Sequence, residues 1–231
     1  MNTRNGTLAV LAAAAAFAVP AASAAAAATT VSVRIEGPSK TIFEGPVTPA
    51  IQTVDGGDGK GPQKCDGTNG GANPTPGPTP TSVMDTAIRG SGRSWQGNFD
   101  ASFQDFLINR IGSTSSTDTQ FWGVAVDGKS LEVGGCQAIV KPGQEVLWAF
   151  DSFGKKLLHA SGPKQVSAGK VASFKVIDTE KGTPVAGAKI GGASTNANGI
   201  AKLRFSHRGT RRLKATAAKS IRSNQLRLTV K

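Results

Sequence analysis

The sequence predicts two small domains of different class. Residues 31–150 are expected to form an α+β domain in which one helix packs on a mixed or antiparallel sheet, and residues 163–231 an all-β domain. Three observations carry this prediction: short apolar segments alternate with period 2, one segment has helical spacing, and Gly, Pro or Asn punctuates the segments. The charge also divides the chain. Residues 31–150 hold 9 Lys/Arg against 12 Asp/Glu, whereas residues 151–231 hold 17 against 3, so the net charge of +12 belongs to the second part.

The first 24 residues have the pattern of a secretory signal peptide. Arg4 precedes an apolar run at residues 8–19, Pro20 ends the run, and Ala22-Ser23-Ala24 fits a cleavage site. The alternative is an N-terminal membrane anchor, but the run is short and rich in alanine. We therefore expect a secreted, extracellular protein, in solution or associated with the cell wall, that keeps no transmembrane span after processing.

The N-terminal domain is expected to begin with strands and continue into a loop and a helix. Residues 30–36 alternate cleanly, residues 40–43 are expected to pair back on them, and residues 47–54 to add another strand. Residues 55–80 are rich in Gly and Pro, which predicts a long functional or flexible loop. A short helix is then predicted from Ser82 to about Arg89, with its N-cap at Thr81-Ser82.

Residues 121–150 are expected to form the floor of the N-terminal core. Asp127-Gly128 is a strong signal for a two-residue hairpin, because both central positions of a type I′ turn need a positive φ. Residues 131–133 should return from this turn, and residues 145–150 should form the last strand. A preceding strand is predicted at residues 106–111.

Two cysteines, Cys65 and Cys136, are an even number in an exported chain. A disulfide between them is the natural prediction for an oxidising compartment. The alternative is two buried free thiols. A metal site is a weaker reading, because two Cys and two distant His lack the spacing of ligand pairs.

The second domain should follow a linker at residues 151–162. Strands are predicted at residues 171–178, 200–205 and 226–230, with a hairpin signal at Asn198-Gly199. Several short strands separated by turn residues indicate a small β-sandwich.

Two resemblances to known families follow from these segments. The helix at residues 83–88, the strand at 106–112, the FWGVAVDG segment at 121–128, the Gly134-Gly135 pair and the KPGQEVLWAF segment at 141–150 together resemble the C-terminal domain of transcobalamin and intrinsic factor and its bacterial relatives of unknown function. This resemblance covers residues 31–150. It implies a β-grasp-like fold and a corrinoid as ligand, although Asp127 stands where the family has Asn.

The second resemblance covers residues 162–231. The segments GTPVAGA at 182–188 and TNANGIA at 195–201 resemble bacterial Ig-like surface modules. Such modules imply spacers, stalks or adhesion elements. The complete fold expectation is thus a β-grasp-like α+β domain followed by an all-β Ig-like sandwich.

No residue pattern indicates catalysis. Residues 123–130, GVAVDGKS, match the letters of a phosphate-binding loop, but a hairpin is predicted there instead of a strand followed by a helix N-terminus. Asp55, Asp58 and Asp66 could hold calcium or be solvated loop residues, and their spacing is not that of an EF-hand. We therefore expect a protein that is not an enzyme and has no cofactor.

Two sets of residues are candidates for binding. Trp95, Trp122 and Trp148 could give an apolar platform beside the 55–80 loop, or could simply be core. The basic residues of the second domain could attract polyanions, or could be a charged soluble surface. The proposed polyanion-binding residues are Lys202, Arg204, Arg208, Arg211, Arg212 and Lys214.

The function predicted from these sets is binding at the cell surface or wall, with the basic domain tethered to anionic envelope polymer. The alternative is a scavenger that binds a small corrinoid-like molecule through the N-terminal domain. Sequence-specific recognition of nucleic acid is not expected, and the aromatic residues that would stack on single-stranded nucleic acid do not interleave with the basic ones. We expect a monomer.

Overall fold

The computed structural model describes Met1 and residues 30–50 and 52–231. The predicted signal peptide lies outside the described residues. Strands hold 43% of the described chain and helices 7%. The predicted fold class was therefore wrong: the described residues are mostly β, with one α-helix and several separate sheets, and neither a β-grasp-like α+β domain nor an Ig-like sandwich is evident among them. The resemblances identified turn and core positions, which many β folds share, rather than a strand order.

The first part of the chain forms an N-terminal unit, residues 31–150. Its elements are β1 (Val31–Glu36), β2 (Thr41–Val47), β3 (Gln52–Val54), β4 (Gln63–Cys65), a 3₁₀ turn (Asn69–Gly71), α1 (Pro80–Gly90), β5 (Trp95–Asp100), β6 (Asp105–Ile111), β7 (Thr114–Ser115), β8 (Trp122–Val126), β9 (Lys129–Ser130) and β10 (Glu145–Phe150).

A five-stranded sheet in the order β2-β1-β10-β8-β9 is the centre of this unit. β1 runs parallel to β10, and the other neighbours are antiparallel. The predicted hairpin is confirmed: Val126 pairs with Lys129, and Asp127 and Gly128 both have positive φ. The segment that resembles a phosphate-binding loop is thus strand, turn and strand.

Helix α1 packs on one face of this sheet. It contacts β1, β2, β3 and β10, and Val83, Met84 and Ile88 are buried there. The helix begins earlier than predicted, because Thr79 is the N-cap and Pro80 the first helical residue. Thr79 Oγ1 accepts from the Ser82 amide at 3.1 Å, while Ser82 Oγ accepts from the Thr79 amide at 2.9 Å. Proline suits the first helical position because the N–H it lacks would have no partner there.

The second part of the chain forms a C-terminal unit, residues 156–231. Its elements are β11 (Lys156–Ser161), β12 (Gln165–Val166), β13 (Val171–Asp178), β14 (Thr183–Pro184), β15 (Lys189–Ile190), β16 (Ala193–Ser194), β17 (Ile200–Arg204), β18 (Gly209–Leu213), β19 (Ala215–Thr216), β20 (Ser220–Ile221) and β21 (Leu226–Val230). The segment 151–162, expected as a linker, thus contains strand β11.

Three small sheets enclose the C-terminal core. Their strand orders are β14-β13-β11-β20 with β17 on β13, β12-β21-β18, and β16-β15-β19. The period-2 pattern of β13 places Phe174 and Val176 inside and Ser173 and Lys175 outside. Leu158, Ile190 and Leu228 complete this core.

The two units are joined by a third apolar cluster. Ala125, Leu147 and Ala149 come from the N-terminal sheet, and Leu157 and Ile221 from the C-terminal unit. The sequence of strand β10 is apolar on both faces because one face packs against the N-terminal core and the other packs against the second unit. Within the described residues, no helix has the length and apolar character needed to cross a bilayer.

Candidate functional site

The three tryptophans do not form an open platform. Trp95 and Trp148 are 2% and 3% exposed. Their indole N–H groups donate inside the fold, from Trp95 to Asp85 Oδ1 at 2.6 Å and from Trp148 to the Pro80 carbonyl at 3.0 Å. Both are core residues with satisfied polar ends, which is the common role of buried Trp.

Trp122 differs from the other two. It is 6% exposed and packs edge-to-face on Phe150, with ring centroids 5.5 Å apart. Its Nε1 is buried and has no hydrogen-bond partner in the described chain. A buried donor without an acceptor costs free energy.

The predicted disulfide between Cys65 and Cys136 is present, with the Cα atoms 4.6 Å apart. It closes a segment with a sequence separation of 71, for which chain entropy gives a stabilisation of about 4 kcal/mol. The residues between 55 and 80 are more ordered than predicted, because β4 pairs with β3 and Asn73 donates to the carbonyls of Gly67 and Gln137. The disulfide and these hydrogen bonds therefore attach the 55–80 segment to the N-terminal core.

A buried carboxylate lies beside this disulfide. Asp105 is 7% exposed, and it accepts from the Cys136 amide at 3.0 Å and from the Phe106 amide at 2.7 Å. Burial raises the pKa of Asp105 above its ordinary value, and the two amides offset only part of that rise. A Cβ at Gly134 would overlap this carboxylate, which explains a glycine there.

The loop carboxylates that could have bound calcium accept bonds from nearby backbone. Asp55 accepts from the Gly57 amide at 2.8 Å, Asp58 from the Phe99 amide at 2.8 Å, and Asp66 from the Thr68 amide at 3.0 Å. Within the described part of the chain, no group of three or more His, Cys, Asp or Glu side chains is placed to hold a metal ion. These carboxylates shape turns.

A cavity of about 640 Å³ lies beside the outer edge of β8, where the two units meet. We call it the edge cavity. Its apolar lining residues are Trp122, Val124, Leu131, Val133 and Phe153, and its basic ones are Lys155, Lys156, Lys181 and Lys219. Sequence reasoning found Trp122 but not the cavity, because its walls come from segments far apart in the chain.

The edge of β8 is open because β9 covers only its end. β9 has two residues, which pair with Ala125 and Val126. Beyond them, Leu131 donates its amide to the Val124 carbonyl at 3.0 Å. Gly123 lies under Ser152 and Phe153, and a Cβ there would overlap Ser152 Oγ. The glycine thus allows the chain after β10 to close over the strand and shape the cavity.

An ionic cluster joins the two units on the opposite side of the N-terminal sheet from its helix. Glu36, only 1% exposed, accepts from Lys214 and from Arg222, the latter at 2.7 Å. Arg34, 3% exposed, pairs with Glu145 at 2.8 Å and donates to the Arg222 carbonyl. These polar positions of β1 are buried because the second unit covers them.

The structure separates the six predicted polyanion-binding residues into different roles. Lys214 belongs to the ionic cluster and also pairs with Glu44 at 2.7 Å, so it is not a free surface cation. Arg204 and Arg211 each donate to a backbone carbonyl, of Gly169 and His207 respectively. Lys202, Arg208 and Arg212 are exposed and form no ion pair within the described residues.

One basic residue was missed by sequence reasoning. Arg227 on β21 lies directly opposite Arg212 on β18 in the antiparallel ladder. Both are exposed, and neither has a carboxylate partner among the described residues. The alternation of Arg227 with apolar neighbours did reveal its outward position, but its cross-strand partner depends on the register of two strands joined by several turns.

Residues 93–152 match a known family, DUF4430, which is described as a domain of unknown function. The match covers β5 to β10, including the edge strand β8 and the Trp122 side of the edge cavity. The match is consistent with the predicted resemblance of this region to bacterial domains of unknown function. It does not extend into the C-terminal unit. No curated protein matches the chain.

Proposed function

We propose that the chain is an exported, non-enzymatic binding protein of the cell surface or wall, and that its C-terminal unit holds anionic envelope polymer. The observation that carries the proposal is the cross-strand pair of Arg212 and Arg227. Directly opposite side chains on antiparallel strands have Cβ atoms about 5 Å apart, and like charges there are destabilising. A bound polyanion would remove that repulsion.

The charge balance of the whole unit supports this proposal. Among residues 156–231, Asp178 and Glu180 are the two acidic residues, against sixteen Lys and Arg. A second set of cations, Lys175, Lys202 and Arg204, lies on the exposed face of the β13–β17 pair. Cations on two outer faces suit a long, flexible polyanion better than a single small anion.

Binding to isolated cell walls tests the proposal. The processed protein should bind walls that carry anionic polymer at 0.1 M salt and leave them at 1 M, where the Debye length falls from about 10 Å to about 3 Å. Walls stripped of anionic polymer should retain little protein. Retention that is unchanged by salt or by stripping would contradict the proposal.

Paired variants locate the surface. Arg212→Gln with Arg227→Gln should weaken binding by about five- to tenfold, the loss expected for two exposed ion pairs. Lys40→Gln with Lys141→Gln removes the same charge from exposed positions of the N-terminal unit and should have little effect. Equal losses from the two variants would show that net charge alone, and not this face, governs retention.

A corrinoid is the second candidate ligand, from the resemblance to transcobalamin and intrinsic factor. The edge cavity beside Trp122 favours some small-molecule site, while the burial of Trp95 and Trp148 removes the three-tryptophan platform on which the idea first rested. Calorimetry with cobalamin and cobinamide decides the question. Saturable micromolar binding would support a corrinoid ligand, and no heat would exclude these two compounds.

A further inference from the structure

We propose that the edge cavity binds a small anionic amphiphile: a compact aromatic or aliphatic body that carries one carboxylate, sulfonate or phosphate group. This site is separate from the polyanion surface proposed above, and it does not depend on it. Its volume of about 640 Å³ lies within the range of about 300–1,000 Å³ that is usual for small-molecule sites.

Two apolar side chains of the cavity wall are largely exposed to solvent. Phe153 is 70% exposed and Val133 is 46% exposed, and both line the cavity. With Leu131 and Val124 they line the cavity together with Trp122. An exposed apolar concavity with a polar rim is a typical small-ligand site.

The charge of the rim selects an anion. Lys156, Lys181 and Lys219 line the cavity and have no ion-pair partner in the described chain. Lys155 is the exception, because its ammonium lies 2.6 Å from Asp151 Oδ2.

The two carboxylates of the rim form no ion pair with these lysines in the described chain. Asp178 is 1% exposed and accepts from the amides of Leu157 and Glu180, each at 3.2 Å. Glu180 accepts from the Ser130 amide at 3.0 Å and from Ser130 Oγ at 3.1 Å. One oxygen of each carboxylate is thus engaged by nearby donors, and the three lysines outnumber the two carboxylates, so the rim keeps a net positive charge that favours an anionic ligand.

The indole of Trp122 supplies the third observation. Its residue lines the cavity, and its buried Nε1 lacks an acceptor within the described chain. If the ring shifts slightly towards the cavity, a ligand with an oxygen acceptor next to an apolar body would complete this hydrogen bond and also cover the ring. The same side chain thus favours an amphiphile over a pure hydrocarbon.

The probe for the experiment is 8-anilinonaphthalene-1-sulfonate, an aromatic body with one sulfonate. Its matched control is N-phenyl-1-naphthylamine, which has the same rings and no charge. The processed, oxidised protein should bind one equivalent of the sulfonate saturably in the native state. The uncharged dye should bind about tenfold more weakly, since it lacks the ionic contacts.

Variants place the probe in the cavity. Lys156→Ala with Lys219→Ala should weaken sulfonate binding by about tenfold and leave the uncharged dye unaffected. Lys175→Ala with Lys202→Ala, on the distant face of β13 and β17, removes the same charge and should not change binding. Trp122→Phe keeps an aromatic ring but no N–H, and it should weaken binding of the sulfonate while thermal unfolding reports that the fold is kept.

Three results would overturn the proposal. The first is dye binding that does not saturate at one equivalent, which would indicate non-specific binding to the protein surface. The second is an equal loss in the two lysine variants. The third is displacement of the dye by an extended acidic peptide at lower concentration than by aryl or acyl carboxylates, which would assign the open β8 edge to strand addition instead.

Discussion

Replacing Glu36 with Gln should weaken the contact between the two units more than any other single change of a charged residue. The Glu36 carboxylate accepts from Thr41 at 3.1 Å, from Arg222 Nε at 2.9 Å and from Lys214. Glutamine keeps the shape but loses the charge. Two cations from the C-terminal unit would then lie at the interface without their main counter-charge.

The size of the loss follows from the burial of these groups. Removing one partner of a buried ion pair typically costs about 3–5 kcal/mol. The Lys214 and Arg222 side chains are 18% and 19% exposed, so water can solvate part of the charge that is left. Glu44 also remains beside Lys214. We expect Glu36→Gln to lower the free energy of unfolding by about 2–4 kcal/mol.

Urea unfolding followed with two probes measures this loss. Tryptophan fluorescence reports the N-terminal unit, because all three Trp residues lie there, and far-UV circular dichroism reports both units. The wild type should give coincident transitions, and Glu36→Gln should separate them as the C-terminal unit unfolds first. Glu132→Gln, at an exposed position without an ion pair in the described chain, is the matched control. If Glu36→Gln and Glu132→Gln lower the free energy of unfolding by amounts that agree within about 0.5 kcal/mol, the reasoning is refuted, since that is the ordinary effect of surface substitutions.

Three further changes test the core around the disulfide. Cys65→Ser with Cys136→Ser should cost about 4 kcal/mol and lower the melting temperature by roughly 10 °C, measured by calorimetry against the oxidised wild type; an unchanged melting temperature would contradict this. Because burial raises the folded-state pKa of Asp105 above the unfolded value, its contribution to stability is present at low pH and is lost as the pH rises through the folded-state pKa. The stability of wild type relative to Asp105→Asn should therefore be greater at pH 3.5, below the ordinary pKa of an Asp carboxyl, than at pH 8 in urea titrations, and the reverse order would show that the two amides outweigh burial. Gly134→Ala should cost about 1–3 kcal/mol by crowding the Asp105 carboxylate, whereas Gly90→Ala, with open space at the end of α1, should be neutral or stabilising.

Local signals predicted the pieces that local physics determines. The strands at residues 145–150 and 171–178 lie where the apolar patterns placed them, and Asp127-Gly128 forms the predicted turn. The disulfide was predicted from cysteine number and the export signal together. The helix start was missed by two residues because Pro80 was counted with the loop, although proline is well suited to open a helix.

What the sequence did not predict depends on contacts between distant segments. Alternation in β1 places Arg34 and Glu36 on the face opposite its apolar residues, but it does not show that the second unit buries that face and supplies their partners 188 and 178 residues away. The edge cavity depends on the same docking. The overall fold class was also wrong, because turn and core motifs do not determine the order in which strands pair.

The docking of the two units also relates the two proposals and allows them to be separated. The walls of the edge cavity come from both units, with Trp122 on one side and Lys181 and Lys219 on the other. The Arg212–Arg227 pair, in contrast, lies within one sheet of the C-terminal unit. Loosening the interface with Glu36→Gln should therefore weaken binding of the sulfonate probe, because the lysines are no longer held opposite the indole. The same variant should be retained on anionic walls as well as the wild type is, at low ionic strength and without urea. The reason is that the β18–β21 register does not depend on the other unit. Loss of both activities together would mean that the polyanion surface needs the N-terminal unit, and that the two sites act as one.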